Sequence, residues 1–215
     1  MIRFFSLLLL LSGMLFSQAT SSWFARIGYA GNGSGATWNP GPNSEAKAKI
    51  TPGWEVGAGK ILNHHLSVLA FVTSQNITFK EYARISTSLS GFTINTSARL
   101  ETMVFSIIRP SLGLGMGLNT LKLHEKHQIQ PVGTLTQSSD AKLNVTPIID
   151  AEMSAQLSEH FLVTFNTRYA MIGDRQFRLN YASKDTPFGS TAILAHETKV
   201  KLTHLRYSLL LEIKI

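Results

Sequence analysis

The stretch KVKLTHLRYSLLLEIKI, residues 199–215, decides the fold class. Side chains of a β-strand point alternately to opposite faces, so a strict alternation of apolar and polar residues indicates a strand with one apolar face. The even positions from 204 onward are polar except Leu210. The odd positions from 205 onward are all apolar: Leu205, Tyr207, Leu209, Leu211, Ile213 and Ile215.

Residues 1–19 have the pattern of an export signal. Arg3 supplies the positive charge, an apolar run covers 4–16, and Ser17 and Ala19 put small residues before a cut at residue 20. The run is shorter than the ~20 apolar residues of a membrane-spanning helix, which is the alternative interpretation. We therefore predict a cleaved signal peptide, 1–19, followed by one domain, 20–215.

The composition agrees with an exported protein that crosses a membrane with β-strands. Charged residues make up only 15% of the 215 residues, and the chain has no cysteine, so disulfides cannot hold it together. No second long apolar run follows residue 19. Without helical spans, the chain can cross a bilayer only as a closed barrel of strands. The formal charge of +7 favours anionic neighbours, and the scattered basic residues argue against a nucleic-acid partner.

Alternating segments recur along the chain and predict eight strands. We place seven strands before the one quoted above, at about 23–31, 53–62, 66–79, 98–108, 111–123, 142–157 and 161–171. Long loops at 32–44, 80–96, 125–141 and 172–195 alternate with short turns at 63–65, 109–110 and 158–160, the second being Arg109-Pro110. Long and short connections alternate in this way in transmembrane barrels, whose short turns face the periplasm. The prediction is an all-β, eight-stranded antiparallel up-and-down transmembrane β-barrel.

Charged residues share the face opposite the apolar one. Eight strands enclose an interior only wide enough for side chains, and buried charges there must pair. We expect a closed lumen filled with ion pairs rather than a channel, with Arg168 and Arg206 each paired to Asp150, Glu152, Glu101 or Glu212. The predicted lumen network comprises Arg26, Glu55, Glu101, Arg109, Asp150, Glu152, Arg168, Arg206 and Glu212.

These features together resemble the small outer-membrane β-barrels of Gram-negative bacteria, including the opacity-type adhesins and the transmembrane domain of outer membrane protein A. The resemblance implies an outer-membrane location, contact with lipids and lipopolysaccharide, and no active-site residues. In that group the barrel assembly machinery reads alternate apolar residues of the last strand, usually ending in Phe or Trp. The matching residues here are Tyr207, Leu209, Leu211 and Ile213, with Ile215 in place of the terminal aromatic.

The candidate chemical motifs have structural explanations. Gly113, Gly115 and Gly117 alternate with large apolar residues, which favours relief of crowding inside a barrel over a phosphate-binding loop. His124 and His127 beside Glu125 could bind a metal at a loop tip, but scattered loop histidines are common, and we predict no metal and no cofactor. His64, His65 and His160 fall in predicted turns.

Two other functions stay open as alternatives. A lipid A acyl hydrolase would need a Ser–His–acid set, and His204, Ser208 and Glu212 lie four residues apart, ~13 Å along a strand. Glu197 or Ser154 would have to supply a partner from another strand. A soluble exported carrier would need an apolar interior. We predict instead a non-enzymatic envelope or surface protein, whose loops contact lipopolysaccharide or a host ligand.

Overall fold

The computed structural model describes residues 22–41, 44–63, 65–102, 107–130, 132–186, 189–202 and 204–215. The predicted signal peptide and His64 lie outside these ranges. Within them no helix is long and apolar enough to cross a membrane. The strands are β1 (Trp23–Ser34), β2 (Thr37–Gly41), β3 (Ser44–Lys49), β4 (Thr51–Ile61), β5 (Leu66–Phe79), β6 (Ile85–Glu101), β7 (Ile108–Ile129), β8 (Gly133–Ser138), β9 (Lys142–Gln156), β10 (Phe161–Ala170), β11 (Asp174–Leu179), β12 (Ala182–Thr186), β13 (Gly189–Ile193), β14 (His196–Lys201) and β15 (His204–Lys214).

Eight of these strands close into an antiparallel barrel. Each pairs with its neighbour in the order β1, β4, β5, β6, β7, β9, β10 and β15. The barrel closes where β15 pairs with β1, with Ile27 opposite Leu211. Closure leaves no unpaired strand edge in the wall, which a bilayer requires. The predicted fold class is confirmed.

The apolar parity faces outward, as predicted. Leu209 is 58% exposed, whereas its neighbours Ser208 and Leu210 are buried. Exposed aromatic residues border the apolar band at the end of the barrel opposite to the short turns. Tyr29 lies opposite Trp54, and the ring centroid of Trp54 is 6.0 Å from that of Phe92. Such aromatic girdles mark the two interfaces of a transmembrane barrel.

Glycines on β7 make room for lumen side chains. A Cβ on Gly113 would lie 2.7 Å from a carboxylate oxygen of Asp150, and one on Gly117 would lie 2.6 Å from the Asn95 amide oxygen. A Cβ on Gly115 would meet the backbone of Thr96. The structure therefore explains these glycines by close approach inside the barrel.

The predicted turn at Arg109-Pro110 is wrong. Both residues belong to β7, and the connection from β6 lies at 102–107. The carbonyl oxygen of Pro110 accepts a hydrogen bond from the Thr102 amide. Pro110 lies near the beginning of its strand, where a missing backbone donor interrupts the ladder least.

The predicted long loops are largely strands. β5 and β6 project beyond the apolar band and are joined by only five residues, 80–84, instead of a loop over 80–96. β7 extends to Ile129 and pairs with β8. The predicted last loop, 172–195, contains β11 to β13. The segment quoted first belongs to two strands, the end of β14 and β15, which are separated at 202–203.

These extensions form a second sheet above the barrel. It runs in the order β11, β14, β2 and β3, and β3 joins the upper end of β5. Its inner face packs on the projecting ends of the barrel strands and forms a hydrophobic core, which we call the cap. The buried residues of the cap are Ala36, Trp38, Ala46, Ile77, Phe79, Leu89, Leu121, Leu123, Ile172, Phe177, Leu179, Val200 and Leu202.

Candidate functional site

An ion-pair network fills the middle of the lumen. The Arg26 guanidinium donates to Glu55 and, over 2.8 Å, to Oε1 of Glu152. Arg168 Nη1 donates to the second oxygen of Glu55 over 2.9 Å. These three contacts connect β1, β4, β9 and β10 across the barrel, although the residues are far apart in sequence.

An aromatic ring supports the two arginines that share Glu55. Phe71 on β5 is buried, and its ring centroid lies 4.7 Å from Cζ of Arg26 and 4.1 Å from Cζ of Arg168. A cation over the face of an aromatic ring is attracted by the ring quadrupole, more strongly where water is excluded. The two guanidinium groups are therefore stabilised by the Phe71 ring as well as by carboxylates.

Arg99 belongs to the network although the sequence analysis did not select it. Its guanidinium donates to Glu152, and its Nε lies 3.7 Å from Asp150 Oδ1. It is two residues from Glu101 and has the same inward parity, so the alternation itself contained the signal. The predicted strand at 98–108 includes both residues, so the inward parity assigned to Glu101 holds for Arg99 as well.

Four predicted network residues do not form ion pairs with the described residues. Glu101 accepts a hydrogen bond from the Ser67 hydroxyl at 2.6 Å, and Arg109 donates to the Gln156 side chain at 2.8 Å. Glu212 is buried with no basic nitrogen of the described residues within 4 Å. Arg206 donates to the Ser74 carbonyl oxygen at 3.3 Å.

The expected partners of two arginines are therefore wrong. Arg168 pairs with Glu55, which was not among the four carboxylates proposed for it, and Arg206 has none of them. The reason is geometric: Arg168 and Arg206 lie directly opposite each other on β10 and β15. Only one of two adjacent arginines reaches across the lumen to Glu55.

Above the network lies a layer of neutral polar side chains. Gln75 donates to the hydroxyl of Thr93, which donates to Asn119 over 2.7 Å. Asn119 donates in turn to the hydroxyl of Thr146 over 2.8 Å. Asn95 donates to Thr73. This layer separates the charged network from the cap, so the lumen passes from charged through neutral polar to apolar along its axis.

The cap closes the end of the lumen opposite to the short turns. Trp38 on β2 is 1% exposed, and its indole N–H donates to Thr198 Oγ1 on β14 over 2.9 Å. The hydrogen bond satisfies the one polar atom of a side chain that is otherwise fully packed. Together, the two strands cover the projecting ends of the barrel strands with apolar side chains.

A small histidine cluster joins the cap sheet to β7. Glu125 is buried, and its Oε2 lies 3.3 Å from Nε2 of both His127 and His196. Burial raises the pKa of Glu125, and the nearby His196 opposes that rise. Burial and, secondly, His196 lower the pKa of His127. Among the described residues no group of three or more side chains is arranged to hold a metal ion.

We expect His127 to make the cap sensitive to acid. Because its folded pKa lies below the ordinary ~6.5 of histidine, protonation favours the open cap as the pH falls below that value. His127→Gln removes this effect. As the pH is lowered from about 8 to about 5, the cap of the wild type should therefore lose stability relative to the cap of His127→Gln. Hydrogen exchange of the β14 amides measures this stability. A difference independent of pH would contradict the assignment.

The described residues that were considered for acyl chemistry do not lie together. Ser208 and Glu212 are buried inside the lumen, and Ser154 Oγ forms a hydrogen bond with Thr164 Oγ1 at 2.8 Å there. Glu197 is exposed on β14, outside the membrane band. The side chain of His204 lies outside the described part of the chain. Nucleophilic catalysis needs a hydroxyl within hydrogen-bond reach of its base and access for the substrate.

Comparison with known proteins identifies the architecture. No protein-family model matches the chain, and no curated protein is similar to it in sequence. Among solved structures, Neisserial surface protein A is 13% identical, with a TM-score of 0.53 over 92% of this chain and 100% of that protein. The outer membrane protein OprG from Pseudomonas aeruginosa is 12% identical, with a TM-score of 0.55 over 91% and 96%. The chain therefore has the fold of the small, eight-stranded outer-membrane β-barrels.

Proposed function

We propose that this protein is an outer-membrane β-barrel with a closed lumen, which acts in envelope structure or surface interaction through its extracellular strands. The proposal rests on an apolar outer wall combined with a lumen that buried charged and polar side chains cross and the cap covers at one end. The function is neither transport nor catalysis. Residues 1–19 serve as the export signal.

Three layers obstruct the lumen. The ion-pair network around Arg26 and Glu152 crosses the barrel, the layer around Asn119 lies above it, and the cap covers the far end. Eight-stranded barrels have interiors just wide enough for side chains. A solute would have to break buried ion pairs and open an apolar core to pass, so the lumen supports a structural role.

The extracellular surface is the part available to partners. Its basic residues favour anionic ligands such as the phosphates of lipopolysaccharide, with binding that weakens as salt is added. The outward positions of β15 supply the residues that we assign to recognition by the barrel assembly machinery, and these same residues contact lipid in the folded state. The basic surface residues are Lys80, Arg84, Lys126, Arg175, Arg178 and Lys184.

The distribution of side chains disfavours both alternatives. A soluble carrier needs apolar residues inside and polar residues outside, whereas Leu114 and Leu143 are more than 60% exposed and Glu55 is fully buried. A lipid A hydrolase needs its serine at the lipid surface, whereas Ser208 faces the interior. These placements support a protein that presents binding surfaces outside the cell without a catalytic centre.

The β12–β13 hairpin offers a direct test. It forms its own two-stranded sheet, and none of its residues belongs to the buried core of the cap. Replacing 182–193 by a short linker should abolish adhesion or another surface phenotype while the barrel stays folded. Purified variant and wild type should both show no stable, large conductance steps in planar bilayers.

A matched variant separates surface contact from cap folding. Trp38→Ala opens the cap core and leaves the hairpin in place, so it should disturb hydrogen exchange of β2 and β14 before it affects a surface phenotype. Release of fatty acids from lipid A by the purified protein, stopped by His204→Ala, would overturn the proposal. Stable conductance of the wild type would overturn the closed lumen.

A further inference from the structure

A small enclosed chamber lies between the ion-pair network and the cap. Its open space is about 10 Å³, enough for one particle about the size of a water molecule. The lining contains two arginines and no carboxylate. Its residues are Gln75, Thr93, Asn95, Asn119, Thr146, Ile148, Arg168, Ala170 and Arg206. The chamber therefore offers hydrogen-bond donors and positive charge without an acidic counterpart.

Arg206 is a buried arginine that has no ion-pair partner among the described residues. It is 3% exposed, and its hydrogen bond to the Ser74 carbonyl involves a neutral acceptor. No carboxylate of the described residues lies within 4 Å of it. Its Nε, like that of Arg168, is buried without a hydrogen-bond partner in the described part of the chain. A buried unpaired cation is costly.

No described carboxylate forms a direct ion pair with Arg206. Glu55 attracts it only from beyond 4 Å, and the two oxygens of Glu55 already accept hydrogen bonds from Arg26 and Arg168. Arg168 lies directly opposite Arg206 on the adjacent strand, so two positive groups share one side of the lumen. Like charges placed directly opposite each other on a sheet are destabilising.

We propose that the chamber binds one small monovalent anion, chloride in the usual environment, held by the guanidinium groups of Arg206 and Arg168. The anion supplies the missing negative charge, and the amide side chains of Gln75 and Asn95 line the rest of its shell. The small volume excludes sulfate and phosphate. The site is independent of the proposed surface function, since it lies beneath the cap.

The test compares unfolding of the purified full-length mature protein in a non-ionic detergent at constant ionic strength. Chloride should stabilise the folded protein in a saturable way relative to gluconate, raising the folding equilibrium constant about tenfold when its concentration is ten times its Kd. Sulfate, which strengthens burial by being excluded from the protein surface, should give a gradual effect without saturation. Equal stability in chloride and gluconate would overturn the site, and so would a chloride effect that does not saturate, which indicates a general salt effect.

Variants locate the effect. Arg206→Gln should lose the chloride dependence, whereas Arg109→Gln, at the short-turn end of the lumen, should keep it. Full chloride dependence in Arg206→Gln would overturn the assignment. If Arg206→Gln does not fold, Arg206→Lys retains the positive charge and should keep a weakened dependence, while a dependence unchanged from the wild type would contradict the role of the guanidinium.

Discussion

Glu55→Gln is expected to lower the free energy of unfolding by about 3–5 kcal/mol, the usual cost of removing one partner from a buried ion pair. Glu55 is fully buried, and its oxygens accept hydrogen bonds from Arg26 and Arg168. The variant keeps the size of the side chain and removes its charge, so two buried guanidinium groups lose their shared partner. Denaturant unfolding in lipid vesicles measures the effect.

Glu101→Gln is the matched control for this change. Glu101 also has inward parity, but it is partly exposed and accepts a hydrogen bond from the Ser67 hydroxyl rather than from an arginine. Its replacement should cost much less than that of Glu55. The double variant Glu55→Gln with Arg168→Met should recover part of the loss. If Glu55→Gln and Glu101→Gln lose the same free energy of unfolding, the network does not stabilise the barrel.

Leu211→Arg is expected to destabilise the barrel by about 2–4 kcal/mol, as for a basic residue placed at the bilayer midplane. Leu211 faces outward on β15, opposite Val163 on one side and Ile27 on the other, and lies two residues further from the aromatic girdle than Leu209 does. An arginine there must either leave its charge in hydrocarbon or stretch toward a headgroup. Unfolding in vesicles again gives the free energy.

Leu194→Arg is the control because Leu194 is 76% exposed and belongs to the extracellular segment before β14. The same substitution in water should change stability by less than about 0.5 kcal/mol. The comparison isolates the bilayer as the cause. A similar loss at both positions would mean that the outward face of β15 is not in contact with lipid.

The alternation of residues was sufficient to predict the barrel wall. Leu66–Phe79 was placed to the residue, and the outward parity of Leu209 and the inward parity of Arg26 both follow from period two. These features depend only on local geometry and on which face meets water, so a single sequence contains them. The sequence predicted barrel closure only through the strand count and the loop alternation.

The turn between β5 and β6 shows why a boundary was missed. Ala83 and Arg84 have φ values of 46° and 65°, as in the tight type I′ hairpin turn. That turn usually has Asn or Gly at these positions, and neither is present here. The polar residues on the outward face of β6 above Phe92 were therefore assigned to a loop, although they belong to a strand that extends into water.

The ion-pair partners depend on distances across the barrel. The parity identified Arg168, Arg206 and Glu55 as inward, but the tilt of the strands decides which of them meet. Register brings Arg206 beside Arg168 instead of beside a carboxylate. The alternation could not predict the cap either, because its core joins residues of the first and last connections to the projecting ends of β5, β6 and β7.

The most direct test of the closed membrane barrel is the electrophoretic mobility of the protein from outer-membrane fractions, with and without boiling. We predict that the protein is found in that fraction, requires detergent for extraction, and migrates differently before and after heating because the closed barrel resists dodecyl sulfate. Recovery as a monodisperse protein without detergent, with the same mobility in both samples, would contradict the account.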